Sequence, residues 1–147
     1  MLSPSSKKLR MKPEEFRAIG EVGAMFYEQG NLEKAQTIFE GLIEVDSESG
    51  AAHSALGALL TRKGDEEVAL RHLNKAISLD ERQIAPFVNR AEIYLRKQEL
   101  EAAVADLKRA IELDPQEKDP GANRARVMVL GIYQAIESQN QNKNNNN

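Results

Sequence analysis

The sequence contains no cysteine and no tryptophan, and aromatic residues make up 5% of its 147 residues. Without cysteine there is no disulfide framework, no thiolate metal site and no thiol nucleophile. Long apolar runs are also missing. No stretch reaches the roughly 20 apolar residues that a membrane-spanning helix needs, and no apolar run follows the first basic residues as it does in a secretory signal. We therefore predict a protein without membrane contact, located in the cytoplasm.

Net charge is unevenly distributed along the chain. Five cations lie near its two ends: Lys7, Lys8, Arg10, Lys12 and Lys143. Since the net charge is −3, residues 13–137 carry a charge of −8. An acidic body repels a phosphate backbone, and few aromatic side chains are available for base stacking. The composition therefore excludes nucleic acid as the main ligand. We predict that residues 1–12 form a disordered basic arm.

Patterns for catalysis and metal binding are absent as well. His53 and His72 are the two imidazoles, and without cysteine or a carboxylate at a suitable spacing they make a poor zinc site. The acidic pair at 66 and 67 lies in the expected first turn of a helix, where the helix dipole favours negative charge. No phosphate-binding glycine loop, dinucleotide fingerprint or nucleophile elbow occurs. We predict no enzyme activity, no cofactor and no bound metal.

What the sequence does contain is a repeat of 34 residues. Alanine recurs at this step at Ala35, Ala69 and Ala103. Six further columns keep the same step without an insertion: Gly23/Gly57/Ala91, Phe26/Leu60/Tyr94, Phe39/Leu73/Leu107, Ile43/Ile77/Ile111, Val45/Leu79/Leu113 and Asp46/Asp80/Asp114. Seven columns in one register indicate structural repetition. The repeats run over residues 16–49, 50–83 and 84–117.

Each repeat has the pattern of two helices joined by a turn, because its apolar residues follow the helical period. Gly30 and Gly64 can adopt the left-handed conformation that ends a helix, and Asn31 and Asp65 follow as N-caps. The third repeat has Gln98 in place of glycine, so its turn is less well specified. The small column that begins with Gly23 faces the alanine column of the second helices, which predicts a close approach of each helix pair.

A seventh helix is predicted over residues 119–137. Asp119 followed by Pro120 is typical of a helix start, and an apolar stripe follows: Ala125, Met128, Val129, Ile132, Tyr133 and Ile136. This helix would cap the apolar end of the repeat array. Residues 138–147 are almost all Asn and Gln and bury nothing, so we expect them to be disordered.

The pattern of small, aromatic and apolar positions resembles the tetratricopeptide repeat over residues 16–117. The chain lacks that family's tryptophan, and only the third repeat has its closing proline, Pro115. The resemblance implies an all-α fold: a right-handed α-solenoid of three helix-turn-helix repeats and a C-terminal capping helix, forming one domain over residues 13–137. It also implies that the first helices of the repeats line a concave groove for a partner polypeptide.

Register places the groove residues on the first helix of each repeat. We predict that the groove is lined by Arg17, Ala24, Tyr27, Glu28, Ser54, Ala58, Thr61, Arg62, Val88, Glu92, Leu95 and Arg96. Most are small or apolar with a charged rim, which favours an extended apolar segment as the ligand. The alternative is that the alanines are helix formers on a solvated face.

Repeats of the carboxylate-clamp type place Lys, Asn and Arg at fixed positions of the groove. The corresponding residues here carry no positive charge: Gly20, Ala24, Ala55, Ala85 and Asn89. A terminal carboxylate would find no charged partner among them. The sequence therefore predicts that this is not a carboxylate clamp.

Two stretches resemble the class II chaperones of bacterial type III secretion, which hold translocator proteins. They run over residues 27–46, with Leu42 where generic repeats have a small residue, and over 85–103, with Pro86 in the first helical turn. The resemblance implies a cytoplasmic chaperone that keeps an apolar, pore-forming translocator soluble, and it is compatible with a homodimer. The alternative is a general scaffold, assembly factor or regulator that binds a folded partner.

Overall fold

The computed structural model describes residues 10–147, and in this range the chain forms seven α-helices and no strand. Their bounds are α1 Pro13–Glu28, α2 Leu32–Val45, α3 Gly50–Lys63, α4 Glu66–Leu79, α5 Ala85–Arg96, α6 Leu100–Glu112 and α7 Pro120–Asn145. The chain divides into two compact lobes, an N-terminal lobe through Glu81 with α1–α4 and a C-terminal lobe from Arg82 with α5–α7. None of the described helices is both long and apolar enough to span a membrane.

The predicted helix pairs are confirmed, and consecutive helices pack against each other within each lobe. Gly30 and Gly64 end α1 and α3 with φ angles of 79° and 85°, as their column predicts. Asn31 caps α2, because its side chain accepts a hydrogen bond from the Lys34 amide. Asp65 stands at the N-cap position of α4 but makes no capping hydrogen bond with its side chain.

The third repeat makes the same left-handed turn without a glycine. Gln98 takes a φ angle of 61°, at the column where Gly30 and Gly64 stand. A side chain in this conformation brings its Cβ too close to the next carbonyl oxygen, which costs about 1–2 kcal/mol. The repeat geometry thus imposes a conformation that the local sequence disfavours.

Replacing Gln98 with glycine is expected to stabilise the fold. Gln98→Gly removes the left-handed strain and should raise the free energy of unfolding by about 1 kcal/mol, measured by urea unfolding. Gln134→Gly, in the exposed interior of α7, is the matched control and should lower it by about 0.5–1 kcal/mol. If both changes lowered the free energy of unfolding equally, the backbone at Gln98 would not be strained.

Small residues let the two helices of each repeat approach closely, as predicted. A Cβ atom on Gly57 would lie 2.6 Å from Leu73 Cδ2 and 3.3 Å from the Leu73 backbone nitrogen. A Cβ atom on Gly23 would lie 2.6 Å from Phe39 Cε1. The facing alanine column is fully buried: Ala35, Ala69 and Ala103. There is thus no room for a larger side chain in either helix pair of the N-terminal lobe.

Gly57→Ala is therefore expected to destabilise the protein although alanine is the better helix former. The added methyl group overpacks against Leu73, which costs about 1–3 kcal/mol and outweighs the helix-propensity gain of about 1 kcal/mol. Gly41→Ala is the control, because a Cβ at Gly41 meets nothing within 4 Å and should stabilise. Thermal unfolding of both variants gives the comparison. A Tm for Gly57→Ala at or above that of the parent would refute the close contact.

Two ion pairs order the C-terminal lobe. Arg90 of α5 donates through Nε and Nη2 to both carboxylate oxygens of Asp106 in α6, each at 2.7 Å. Asp114 accepts hydrogen bonds from the Lys118 and Asp119 amides and from Arg126 Nη1. Burial acts to raise the pKa of Asp114, but these bonds favour the ionised form and together hold it below its usual range. The first pair links α5 to α6, and the second fixes the connection from α6 to α7.

Helix α7 begins as predicted and ends later than predicted. Asp119 caps it by accepting a hydrogen bond from the Ala122 amide at 3.0 Å. The helix continues through the Asn- and Gln-rich segment to Asn145, where disorder from residue 138 onward was expected. Extending an existing helix adds one hydrogen bond per residue without a new nucleus, so burial is not required. The predicted basic arm falls mainly on residues 1–9, which lie outside the described residues.

Candidate peptide-binding site

An apolar pocket of about 470 Å³ lies in the N-terminal lobe, between α1 and α3. Helix α1 contributes Pro13, Phe16, Arg17, Gly20, Glu21 and Ala24, helix α2 contributes Phe39 and Leu42, and helix α3 contributes Ala51, Ala52 and Ala55. Arg17 and Glu21 are the charged residues of this lining. Pockets of this size with mainly apolar walls and few polar groups are typical of ligand sites.

The space in the pocket results from small residues on its walls. Gly20 and Ala24 lie one turn apart on α1, and Ala55 faces the pocket from α3. A Cβ at Gly20 would lie 3.6 Å from Leu42 Cδ1, so Leu42 is directly beneath this turn of α1. Leu42 and Phe39 are 3% and 4% exposed and form the floor. An apolar side chain of a partner could therefore bury itself against aliphatic and aromatic atoms.

Three of the five positions that would carry the polar residues of a carboxylate clamp line this pocket. Gly20, Ala24 and Ala55 all contribute to its surface, and none offers a hydrogen-bond donor from its side chain. Next to these three residues a carboxylate would lose its hydration without gaining a side-chain donor, and Arg17, the cation of this lining, stands with Glu21 on α1. The local chemistry thus suits an apolar group and not an anion.

The predicted groove residues of the N-terminal lobe divide into those at the surface and those in the core. Arg17 and Ala24 line the pocket. Glu28 is exposed and Ala58 is half-buried, both outside the pocket lining. Tyr27 and Arg62 are brought together, since the guanidinium lies 5.1 Å from the Tyr27 ring centre and Nη1 donates to the Tyr27 carbonyl oxygen at 2.9 Å. They form one joined polar and aromatic surface across α1 and α3.

Two predicted groove residues of this lobe are buried. Thr61 is 2% exposed and donates its hydroxyl to the Gly57 carbonyl oxygen at 2.7 Å, and Ser54 is 8% exposed. The repeat register identifies the side of α3 on which these two residues lie. It does not show how far neighbouring elements bury them. A partner would not reach the Thr61 side chain in this structure.

The C-terminal lobe places its four predicted groove residues differently. Val88 is 1% exposed, and Leu95 is half-buried while Arg96 is exposed. Glu92 pairs with Arg124 of α7, with an Nη2 to Oε1 distance of 2.8 Å. Arg124 was not predicted from the sequence. The sequence did contain a feature that indicates it. Ala125 lies 34 residues after Ala91 and so extends the column of small residues to α7. This alignment places α7 at the position of the first helix of a repeat.

The pocket itself also contains residues that register alone did not identify. Pro13 and Phe16 lie before Gly23, which is the earliest residue of the repeated columns. Glu21 lies one turn after Arg17. The spacing of Phe16 and Gly20 by four residues was the available signal, since residues at this spacing share a helix face. The binding role of the pocket and of the accessible groove residues remains a prediction.

The two histidines form a pair that joins α3 to α4. His53 Nε2 lies 2.8 Å from the Ser47 carbonyl oxygen, and His53 Nδ1 lies 3.0 Å from His72 Nδ1. Since a carbonyl oxygen only accepts, His53 carries its proton on Nε2, and its Nδ1 accepts from the Nδ1–H of His72. No group of three or more potential metal ligands occurs among the described residues. The two rings are stacked with their centres 5.2 Å apart, so the pair is a packing contact between α3 and α4.

The histidine pair predicts a pH-dependent stability. Burial, followed by His53 and Arg71, lowers the pKa of His72 from 6.5, while Glu40 opposes the shift. The unfolded chain then binds this proton more readily than the folded one, so the stability is complete above pH 6.5 and decreases as the pH falls below it.

Urea unfolding between pH 7.5 and 5 measures this loss. His72→Asn keeps an N–H donor near the position of Nδ1 and does not titrate, so its stability should change less over the same range. An unchanged pH dependence in this variant would show that His72 is not the responsible group.

Two models of the tetratricopeptide repeat match the sequence, one over residues 26–86 and one over residues 86–117. Together they cover the greater part of the chain: the first match begins near the end of α1 and contains α2, α3 and α4, and the second contains α6 and nearly all of α5. A comparison with curated protein sequences gives no match.

Several solved structures share the fold. The translocator chaperone SycD of Yersinia enterocolitica superimposes with a TM-score of 0.76 at 22% identity, covering 87% of this chain and 90% of that one. PcrH in complex with the chaperone-binding region of PopB gives a TM-score of 0.70 at 24% identity, with coverages of 82% and 99%. PcrH is a protein of Pseudomonas aeruginosa.

The first repeat domain of Spaghetti (RPAP3), bound to the HSP90 peptide SRMEEVD, also shares the fold. Its TM-score is 0.69 at 20% identity, with coverages of 85% of this chain and 98% of that one. Proteins with different ligands therefore have this helix arrangement, so the backbone alone does not identify the ligand.

Proposed function

Because the chain belongs to the tetratricopeptide-repeat family, we propose that it binds an extended apolar segment of a partner polypeptide. We further propose that it is a small cytoplasmic chaperone of a type III secretion system, which keeps an apolar translocator soluble before export. The observation that carries this proposal is the apolar pocket between α1 and α3, with Leu42 and Phe39 as its floor. Such a floor suits an aliphatic or aromatic side chain.

The structural neighbours support the choice of partner. SycD is a translocator chaperone and has been crystallised with a peptide of the translocator YopD, and PcrH with a region of PopB. Spaghetti shares the fold but holds an HSP90 peptide that ends in acidic residues. Gly20, Ala24 and Ala55 favour the first kind of ligand, because they offer no charged group to a carboxylate. SycD also forms dimers, and a homodimer is part of the proposal.

Co-expression tests this function. The chain is produced with each candidate translocator encoded in the same genome, and the soluble fraction of the translocator is compared with and without it. One translocator should become soluble and co-purify with the chain, while the peptide SRMEEVD should show no binding. If no translocator gains solubility and pull-down recovers a folded protein, the chain is a scaffold and the chaperone proposal fails.

Filling the pocket should abolish this activity. Ala24→Trp places an indole into the space lined by Ala24, so the amount of soluble translocator should fall at least tenfold while the helical content stays unchanged. Ala18→Trp is the matched control, because Ala18 is an exposed alanine of α1 outside the pocket lining. It should leave the soluble amount within twofold of the parent. Full activity of Ala24→Trp would show that the partner does not use this pocket.

A further inference from the structure

The first repeat carries most of the negative charge of the chain. Residues 13–49 contain nine carboxylates and two cations, Arg17 and Lys34, which gives a net charge of −7. The second repeat has five charges of each sign, and residues 84–117 carry a net charge of −2. Lys34 lies over the Phe26 ring, 5.4 Å from its centre, and does not line the pocket between α1 and α3. The helix α1 wall of that pocket thus belongs to the most acidic of the three repeats.

Three glutamates follow the pocket along α1 and form an acidic row: Glu14, Glu21 and Glu28. They are seven residues apart, which places them on nearly the same side of the helix at intervals of about 10 Å. Glu21 belongs to the pocket lining, and all three side chains are exposed. None of the ion pairs among residues 10–147 involves any of the three. The carboxylates of the acidic row are therefore available to cations of a ligand.

The cations near the acidic row do not neutralise it. Arg17 lies between the first two glutamates, so the four charged residues on this side of α1 leave a net charge of −2. Helix α3 forms the opposite wall, and its residues 50–61 include no Asp, Glu, Lys or Arg. The next residue, Arg62, is bound to the ring and the carbonyl oxygen of Tyr27. The pocket thus combines an apolar interior with a negatively charged edge.

The length of the pocket indicates the length of the segment that fits it. Its lining on α1 runs from Pro13 to Ala24, about 16 Å along the helix. An extended chain rises about 3.3 Å per residue, so about five residues fit along this wall. Glu14 and Glu28 are about 21 Å apart along α1 and lie near the two ends of such a segment. An apolar stretch of this length with a cation at each end would bring its charges close to carboxylates.

We propose that the pocket between α1 and α3 selects an extended apolar stretch of about five residues that is flanked on both sides by lysine or arginine. This proposal rests on the function proposed for the pocket above and adds the chemical class of its ligand. The apolar stretch packs on Phe39 and Leu42, and the flanking cations pair with the acidic row. Complementary charges of this kind raise the association rate and the selectivity for the correct partner.

Two synthetic peptides test the proposal on the full chain. Both contain Leu-Val-Leu-Val-Leu and a fluorescein label, one between two pairs of lysines and the other between two pairs of glutamates. In fluorescence anisotropy titrations at about 0.1 M NaCl, the lysine peptide should bind at least tenfold more tightly than the glutamate peptide. Raising the salt to about 1 M shortens the screening length to about 3 Å and should reduce this difference to less than threefold.

Charge reversal on α1 identifies the residues that select the ligand. Glu21→Lys should weaken binding of the lysine peptide at least fivefold and strengthen binding of the glutamate peptide. Glu44→Lys is the matched control, because it changes the net charge equally at an exposed position of α2 outside the lining. It should leave both Kd values within twofold. Arg17→Gln removes the cation of the lining and should tighten binding of the lysine peptide.

The outcomes separate this proposal from the function of the pocket. If both peptides bind equally and Ala24→Trp weakens both, the pocket binds apolar segments without selecting charge, and the present proposal alone fails. If neither peptide binds, or if Ala24→Trp leaves binding unchanged, the proposed function of the pocket fails and this proposal fails with it.

Residues 1–9 provide the remaining test, because they contain Lys7 and Lys8 and so have the same sign of charge as the proposed ligand. A chain that lacks residues 1–9 should bind the lysine peptide with a Kd within twofold of that of the full chain. A tenfold gain in affinity on their removal would assign the pocket to this segment of the chain itself and would overturn the assignment to a partner.

Discussion

The close approach of the two helices within each repeat is the constraint on which the remaining structure depends. At Gly23, the absence of a Cβ allows the Phe39 ring to lie against the backbone of α1. The same ring then forms part of the floor of the pocket between α1 and α3. A larger residue at position 23 would push α2 away and withdraw Phe39 and Leu42 from the site. The packing that makes the fold compact thus also provides the surface that a ligand would contact.

The inner residues of α1 and α3 decide what this repeated scaffold can bind. Its backbone is shared with SycD and with the HSP90-binding domain of Spaghetti at similar TM-scores. Gly20, Ala24 and Ala55 give the surface an apolar character, where a clamp needs donors. The residues of the repeated columns pack the helices and therefore determine the fold. Other residues, on the exposed surfaces of those helices, determine the class of ligand.

The sequence predicted the helix pairs, the glycine turns and the close contacts, because each rests on local chemistry repeated at a fixed step. It predicted less of the candidate site. Register identified the face of α3 that holds Thr61, but burial depends on atoms from neighbouring elements, and Thr61 is in the core. Arg124 was missed because its partner Glu92 is distant in the sequence. The helical conformation of residues 138–145 was not predicted, because their composition shows only that they have no apolar side chains to bury. A helix that already exists can be extended without such burial.

Helix α7 packs on the third repeat and also leaves apolar side chains at its own surface. A terminal helix with a polar outer face would protect the last apolar surface, yet α7 leaves Val127 and Leu130 at 71% and 58% exposure, and a groove between α6 and α7 is open. An exposed apolar surface favours association with another chain, because burying it releases about 25 cal/mol per Å². Helix α7 therefore has two roles that oppose each other. Its first turns close the third repeat through the buried Ala122 and Ala125, and the same helix leaves Val127, Leu130 and Tyr133 exposed.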